Sequence, residues 1–224
     1  MSKKFLNEED MKNIGEAVKN AEKNTSGEIA TALINESDDY AKYELFFAFI
    51  AGFIYFSIML FFSSEVKELI QCMFWNYNSS YLISFYGFSI FVVISIFYFI
   101  ANISTIDRLI VPKKVMQEKV NNRAMRYFME SGVYNTRDRT GILIFISTLE
   151  KQIQLIADSG INKKIEQSQW NEIVENIANG VKEKTLSKNL IESIDECGKL
   201  LSKYFPIKDD DENELPNEIN ILEK

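Results

Sequence analysis

Two runs without a single charged residue, Leu45–Ser64 and Tyr81–Ile103, lie close together in a chain of 224 residues. The stretch Leu45–Phe62 is almost wholly Phe, Ile, Ala, Tyr, Met and Leu, and the second run carries Phe88, Ile90, Phe91, Val92, Val93 and Ile94. Each approaches the roughly 20 apolar residues that cross the hydrocarbon of a bilayer. As core helices of a soluble protein both would have to be enclosed, and a chain of this size has too little remaining mass to enclose them. The runs therefore predict a transmembrane hairpin, with spans at about 45–64 and 81–103.

Basic residues set the expected orientation. The connecting loop Glu65–Ser80 has only Lys67, whereas Arg108, Lys113, Lys114, Lys119, Arg123 and Arg126 follow the second span. The positive-inside rule then predicts both termini in the cytoplasm, and Tyr55, Trp75, Tyr77 and Tyr81 suit the outer interface. The polar residues of the spans are small ones such as Ser57, Ser84, Ser89, Ser95 and Asn102. Such spans supply no proton relay or ion pathway and read as an anchor and a helix–helix surface.

An even number of spans returns the chain to the side on which it began, and the flanking segments read as two parts of one domain. Asn7 followed by Glu8, Glu9 and Asp10 marks a helix start, with Met11, Ile14, Val18 and Ala21 at helical spacing. After Thr25-Ser26-Gly27 the segment Glu28–Ile34 reads as a strand. One helix and one strand cannot bury their own apolar faces, so their partners must follow the hairpin. A helical stripe of Met116, Val120, Ala124, Tyr127 and Phe128 precedes a polar loop at 135–141, and the short apolar run Ile142–Ile146 suits a central strand. Gln152–Ala157 alternates and should pair antiparallel with it across the turn at 149–151. Trp170, Ile173, Val174, Ile177 and Val181, then Leu190, Ile194, Cys197, Leu201 and Tyr204, give two more amphipathic helices. Trp170 and the Tyr127-Phe128 pair are expected as core anchors. Beyond Pro206 the sequence turns acidic, and little independent structure is expected there. The division is 1–43, first part of the domain; 44–106, hairpin; 107–206, second part; and 207–224, acidic tail.

Composition narrows the chemistry. The net charge of -7 argues against a nucleic-acid partner. The absence of histidine excludes imidazole as base, nucleophile or ligand. Cys72 and Cys197 fall in segments of opposite character, which supports neither a disulfide nor a cysteine zinc site. Met1-Ser2-Lys3-Lys4 leads into a polar helix and not into a signal peptide, so the segment before the hairpin is expected to stay where it is made.

The stretches Asn24-Thr25-Ser26-Gly27-Glu28-Ile29, Arg139-Thr140-Gly141-Ile142-Leu143-Ile144-Phe145-Ile146-Ser147, Ala157-Asp158-Ser159-Gly160-Ile161 and Tyr204-Phe205-Pro206 resemble the signature blocks of the TPM domain, in its order. The chain is most similar to the bacterial branch with two spans inserted after the first strand and a Val-Pro-basic stretch behind them, here Val111-Pro112-Lys113-Lys114. The resemblance implies an α/β membrane protein: a TPM-like α/β/α sandwich with a small mixed sheet, interrupted by the hairpin, in the bacterial cytoplasmic (inner) membrane as a multi-pass protein. It attaches no activity to this branch, although some relatives bind divalent cations through acids at strand ends or act as acid phosphatases.

Glu28 at the entry to the first strand, Asp138 before the second and Asp158 after the third are the candidate metal ligands, with Ca²⁺ or Mg²⁺ as the cation. The structural alternative has Asp158 capping a turn and Glu28 paired with an arginine. Where relatives carry Asp-Asn-Gly, this chain has Asp138-Arg139-Thr140-Gly141, and Lys163 and Lys164 follow Asp158. These cations compete with a metal, while Arg139 has the forked donor geometry for a phosphate or carboxylate. The leading expectation is a non-enzymatic, membrane-anchored accessory or binding module for a partner protein or divalent cation, with a protein partner or a homo-oligomer as the expected assembly. The alternative is a divalent-cation-dependent phosphatase or related hydrolase, with Asp138 and Asp158 holding the metal and Arg139 the phosphate.

Overall fold

A computed structural model describes residues 5–223. The Met1-Ser2-Lys3-Lys4 stretch lies outside the described residues. The chain divides into two compact units, one built from the segments up to Asp38 and from Lys114 onward, the other from Asp39–Lys113. The first unit opens with α1 (Glu8–Glu22), which starts where the acids predict. Asn7 Oδ1 accepts from the Asp10 amide at 2.7 Å and Asp10 Oδ2 from the Asn7 amide at 3.0 Å, a reciprocal cap that satisfies two orphan donors. Ile14 and Val18 are buried beneath it. Strand β1 (Glu28–Ile34) follows, with every residue buried.

The second unit holds α2 (Ala41–Phe61), α3 (Ser63–Met73), α4 (Ser79–Ala101) and α5 (Ser104–Ile110). Helices α2 and α4 are long and apolar enough to cross a membrane. Both begin a little before the charge-free runs, because Lys42, Glu44 and the polar Ser79-Ser80 are accommodated in first turns. They pack against each other. Gly52 sits against Ile94, where a Cβ would come within 2.5 Å of Cγ1. Phe56 and Tyr86 meet edge-on with centroids 6.3 Å apart, and the Tyr86 hydroxyl donates to the Met59 carbonyl at 3.1 Å. At the other end of the pair Asn102 Nδ2 donates to Glu44 Oε2 at 3.2 Å. The segment read as a connecting loop is mostly helix α3, because Val66, Leu69, Ile70 and Met73 recur at helical spacing.

The first unit resumes with α6 (Lys113–Glu130), closed by Ser131 and by Gly132 at φ +81°, a left-handed position suited to glycine. A 3-10 turn at Val133–Asn135 leads to β2 (Gly141–Ser147), then β3 (Gln152–Ala157), the short α7 (Ser159–Asn162), α8 (Gln167–Glu183), α9 (Leu186–Tyr204) and β4 (Asn220–Leu222). The sheet order is β3-β2-β1-β4. β1 runs parallel to β2 from Glu28↔Gly141 to Ile34↔Ser147, so the strand before the hairpin finds its partner after it, and β3 pairs antiparallel with β2. No side chain fits at Gly141, since a Cβ there would overlap the Val133 carbonyl oxygen.

The alternation of strand side chains divides the core into two layers. Ile29, Leu33, Ile142, Ile144 and Ile146 pack with α1, α8 and α9, around Trp170 at 1% exposure. Ala30, Ala32, Ile34, Leu143 and Phe145 pack with α6 through Val120, Ala124, Tyr127 and Phe128. The result is the expected α/β/α sandwich, with Trp170, Tyr127 and Phe128 as the expected anchors. The tail departs from expectation. Leu215 and Ile219 are buried at 7% exposure each, and β4 adds a parallel edge strand to β1 at Ala32–Ile34. The physical reason is the open β1 edge: its amides and carbonyls need partners, and the few apolar residues among the tail's acids cover it.

Candidate functional site

The four signature stretches meet at one end of the sheet. Thr25 Oγ1 donates to the Phe205 carbonyl at 2.6 Å and accepts from the Gly27 amide at 3.0 Å. The Ser26 amide donates to the same carbonyl at 3.1 Å, and Ser26 Oγ accepts from the Lys208 amide at 3.1 Å. Thr140 Oγ1 donates to the Ser26 carbonyl at 2.8 Å, and the Thr140 carbonyl accepts from the Glu28 amide at 3.1 Å. The Asp158 amide donates to the Gly141 carbonyl at 2.9 Å, and the Gly160 amide to the Arg139 carbonyl at 3.1 Å. Thr25 and Thr140 are 1% and 2% exposed, so these hydroxyls act as a buried latch joining chain segments remote in sequence.

Beside the latch lies a cleft of about 510 Å³ lined by residues from all four stretches, among them Ser26, Thr140, Gly160 and Phe205. Its cations are Lys163, Lys164 and Lys208. Lys164 Nζ donates to the Tyr204 carbonyl at 3.3 Å and lies 4.3 Å from the Phe205 ring centroid. Lys208 Nζ donates to Asp138 Oδ2 at 2.6 Å, and this hydrogen bond holds the Asp138 carboxyl below its ordinary pKa. Lys208 was not among the expected site residues. The one sequence signal for it is a lysine standing directly between Phe205-Pro206-Ile207 and the acidic run.

The candidate acids are engaged separately. Glu28 is 4% exposed and accepts from the amides of Glu214 and Leu215, each at 3.3 Å, so its partners are tail backbone and not an arginine. Burial raises its pKa, and the two amides offset part of that shift. Asp138 faces Lys208. Asp158 is 8% exposed and caps α7, its Oδ1 accepting from the Ser159 amide at 2.5 Å. Its Oδ2 accepts no hydrogen bond and lies 3.8 Å from Arg139 Nη1. Arg139 takes a left-handed backbone at φ 57°, its guanidinium donates to the Tyr134 carbonyl, and it lies 5.7 Å from the Tyr134 ring centroid. The structure thus joins Arg139 to Asp158 and does not gather the three acids. Among the described residues no group of three or more acids or cysteines is spaced to hold a metal ion. As a set, Glu28, Asp138 and Asp158 do not fit a resident cation.

Another acid was not anticipated. Glu22, at the end of α1, lines a second cleft of about 570 Å³ with Lys19, Lys23, Glu28, Asp211 and Glu218. Its Oε1 accepts from the Ile29 amide at 2.8 Å, while Oε2 is buried without a hydrogen bond. Burial, with Glu28 and Asp211 nearby, pushes its pKa up to about 8.

No curated protein matches the chain. The NMR structure of the BA42 protein from the psychrophilic bacterium Bizionia argentinensis sp. nov. is similar in fold. It has a TM-score of 0.58 and 23% identity, with 97% of this chain and 96% of that one covered. The model of the TPM domain matches residues 102–200, the part of the chain that supplies α6, β2, β3, α8 and most of α9.

Proposed function

We propose that this protein is a non-enzymatic binding module, anchored in the bacterial cytoplasmic membrane by α2 and α4, whose TPM domain receives an acidic group of a partner protein. The observation that carries the reading is the cleft in which all four signature stretches meet under three lysines. Concave sites with a few convergent polar groups are the usual place for ligands, and lysines there favour a carboxylate over a cation. Charge reversal tests it. Crosslinking in native membranes is expected to give a partner adduct that Lys163→Glu and Lys164→Glu abolish and Lys188→Glu, on exposed α9 surface, leaves intact. Adducts unchanged by the cleft variants, or a monomer without adducts, would sink the reading.

A cation-dependent phosphatase would need Asp138 to leave Lys208 and Asp158 to turn from the Ser159 amide. Aryl phosphate hydrolysis by the wild type that an Asp138→Asn, Asp158→Asn double variant loses would replace the binding-module reading with that one.

The two cysteines report the orientation. Cys72 is exposed, whereas Cys197 is buried and burial pushes its thiol up to about 12. Only the thiolate reacts at speed, so a membrane-impermeant maleimide should modify Cys72 alone. With cytoplasmic termini, labelling occurs in intact spheroplasts. Labelling only after permeabilisation would invert the topology.

A further inference from the structure

Helix α3 begins at Ser63, one residue after the C-cap Phe62 of α2. Along it Val66, Leu69, Ile70 and Met73 share one face, while Glu65, Lys67, Glu68, Gln71 and Cys72 share the other. Ile70 alone is buried, at 3% exposure. Leu69 at 56%, Met73 at 68%, and beyond the helix Phe74 at 44% and Trp75 at 101%, stand uncovered. Phe74 stacks on Tyr81 at the start of α4, with centroids 4.8 Å apart and planes 12° from parallel, which pins the segment's end to the second long helix. An apolar face of this kind in water would be an aggregation site.

We infer that α3 lies in the lipid interface as an amphipathic helix, with Leu69, Met73, Phe74 and Trp75 in the acyl boundary and the Cys72 face in water. This rests on the proposed crossing of α2 and α4. A span that ends at Phe61 delivers α3 to the bilayer surface without a spacer, and the last apolar residues of that span, Ile58, Leu60 and Phe61, stand uncovered as well. The occupant is therefore lipid. Interfacial helices bind through buried apolar area plus attraction of basic residues to anionic headgroups. Here the polar face carries Glu65 and Glu68 against Lys67, so apolar burial alone holds the helix, and anionic lipid adds nothing.

The test uses the full chain in vesicles of phosphatidylcholine, alone and mixed with phosphatidylserine. An environment-sensitive thiol probe is placed at native Cys72, or at Leu69→Cys or Met73→Cys in a Cys72→Ser background, and depth is read by quenchers at different acyl positions. The probes at 69 and 73 are expected to lie deeper than the one at 72 by on the order of 10 Å, the width of a helix, in both lipid mixtures. Equal depth at 69, 72 and 73 in protein that resists carbonate extraction would overturn the interfacial helix and leave the spans standing. Depth that develops only with phosphatidylserine would also overturn it. Release by carbonate would remove the crossing itself, and the inference with it.

Discussion

Deleting residues 207–224 is expected to destabilise the unit that holds the sheet by roughly 3–6 kcal/mol, the range for exposing two buried side chains of Leu and Ile size. Those side chains are Leu215 and Ile219, and β4 goes with them. The deletion also removes Lys208 from Asp138 and Asp210 from Arg137. These are surface pairs, with side-chain exposures of 49% and 35% in the first and 49% and 76% in the second. Solvent screens such exposed pairs and they add little, so the apolar strap dominates the loss. Chemical denaturation of the full and shortened chains in detergent, followed by the fluorescence of buried Trp170 with a Trp75→Phe background, measures the difference. The double variant Leu215→Asp, Ile219→Asp should reproduce most of it. An unchanged midpoint in both would mean that the tail does not contribute to the fold. The bared β1 edge should also make the shortened protein associate, because an unpaired strand edge templates another.

The Glu22→Gln variant is expected to move stability the other way, by a gain that grows as the pH rises from about 4.5 to 8. The folded pKa of about 8 lies above the ordinary 4.5, so between those values the folded state keeps a proton that the unfolded chain has released. Stability from this group is therefore full below about pH 4.5 and is lost as the pH rises through 8. By pH 9 a buried carboxylate faces Glu28 and Asp211, and removing its charge should raise stability by on the order of 2–4 kcal/mol. Near pH 4 both forms are neutral, and Gln keeps the oxygen that accepts from the Ile29 amide. Glu28 is shifted in the same direction and adds to the slope in the wild type. Denaturation midpoints at pH 4, 7 and 9 decide the matter: a variant gain equal at all three values would show that Glu22 does not titrate on folding.

How much of this was legible in the sequence depends on how local the signal was. Ile142–Ile146 and Gln152–Ala157 announced β2 and β3 through run length and alternation, and the stripes of α1, α6, α8 and α9 landed on their cores. Helix α3 was hidden because Val66, Leu69, Ile70 and Met73 sit between two far more apolar segments. Strand β4 is three residues in an acidic segment, and its existence depends on the open edge of β1, a property of the folded sheet and not of the tail. The grouping of Glu28 with Asp138 and Asp158 placed all three at strand ends, which is where they are. Alternation along β1 puts Glu28 on the face of Ala30 and Ala32, where the tail lies, while Asp138 belongs to the loop that meets Lys208. The lysine cleft joins Ser26, Lys163 and Lys208 through a latch between residues 180 positions apart, and no local pattern reports such a meeting.

The pairing of β1 with β2 has a consequence for biosynthesis. Thr140 must find the Ser26 carbonyl across 114 residues of chain that include the whole hairpin. On the proposed topology, β1 leaves the ribosome first and waits, unpaired, until both spans are in the bilayer and β2 has returned to its side. A molecule in which only one span inserts would strand the two halves on opposite sides of the membrane, with the open edges of β1 and β2 offered to proteases. On that topology closure of the sheet certifies that the hairpin was inserted, and β4, which follows β2 in the chain, seals the edge only after that condition is met.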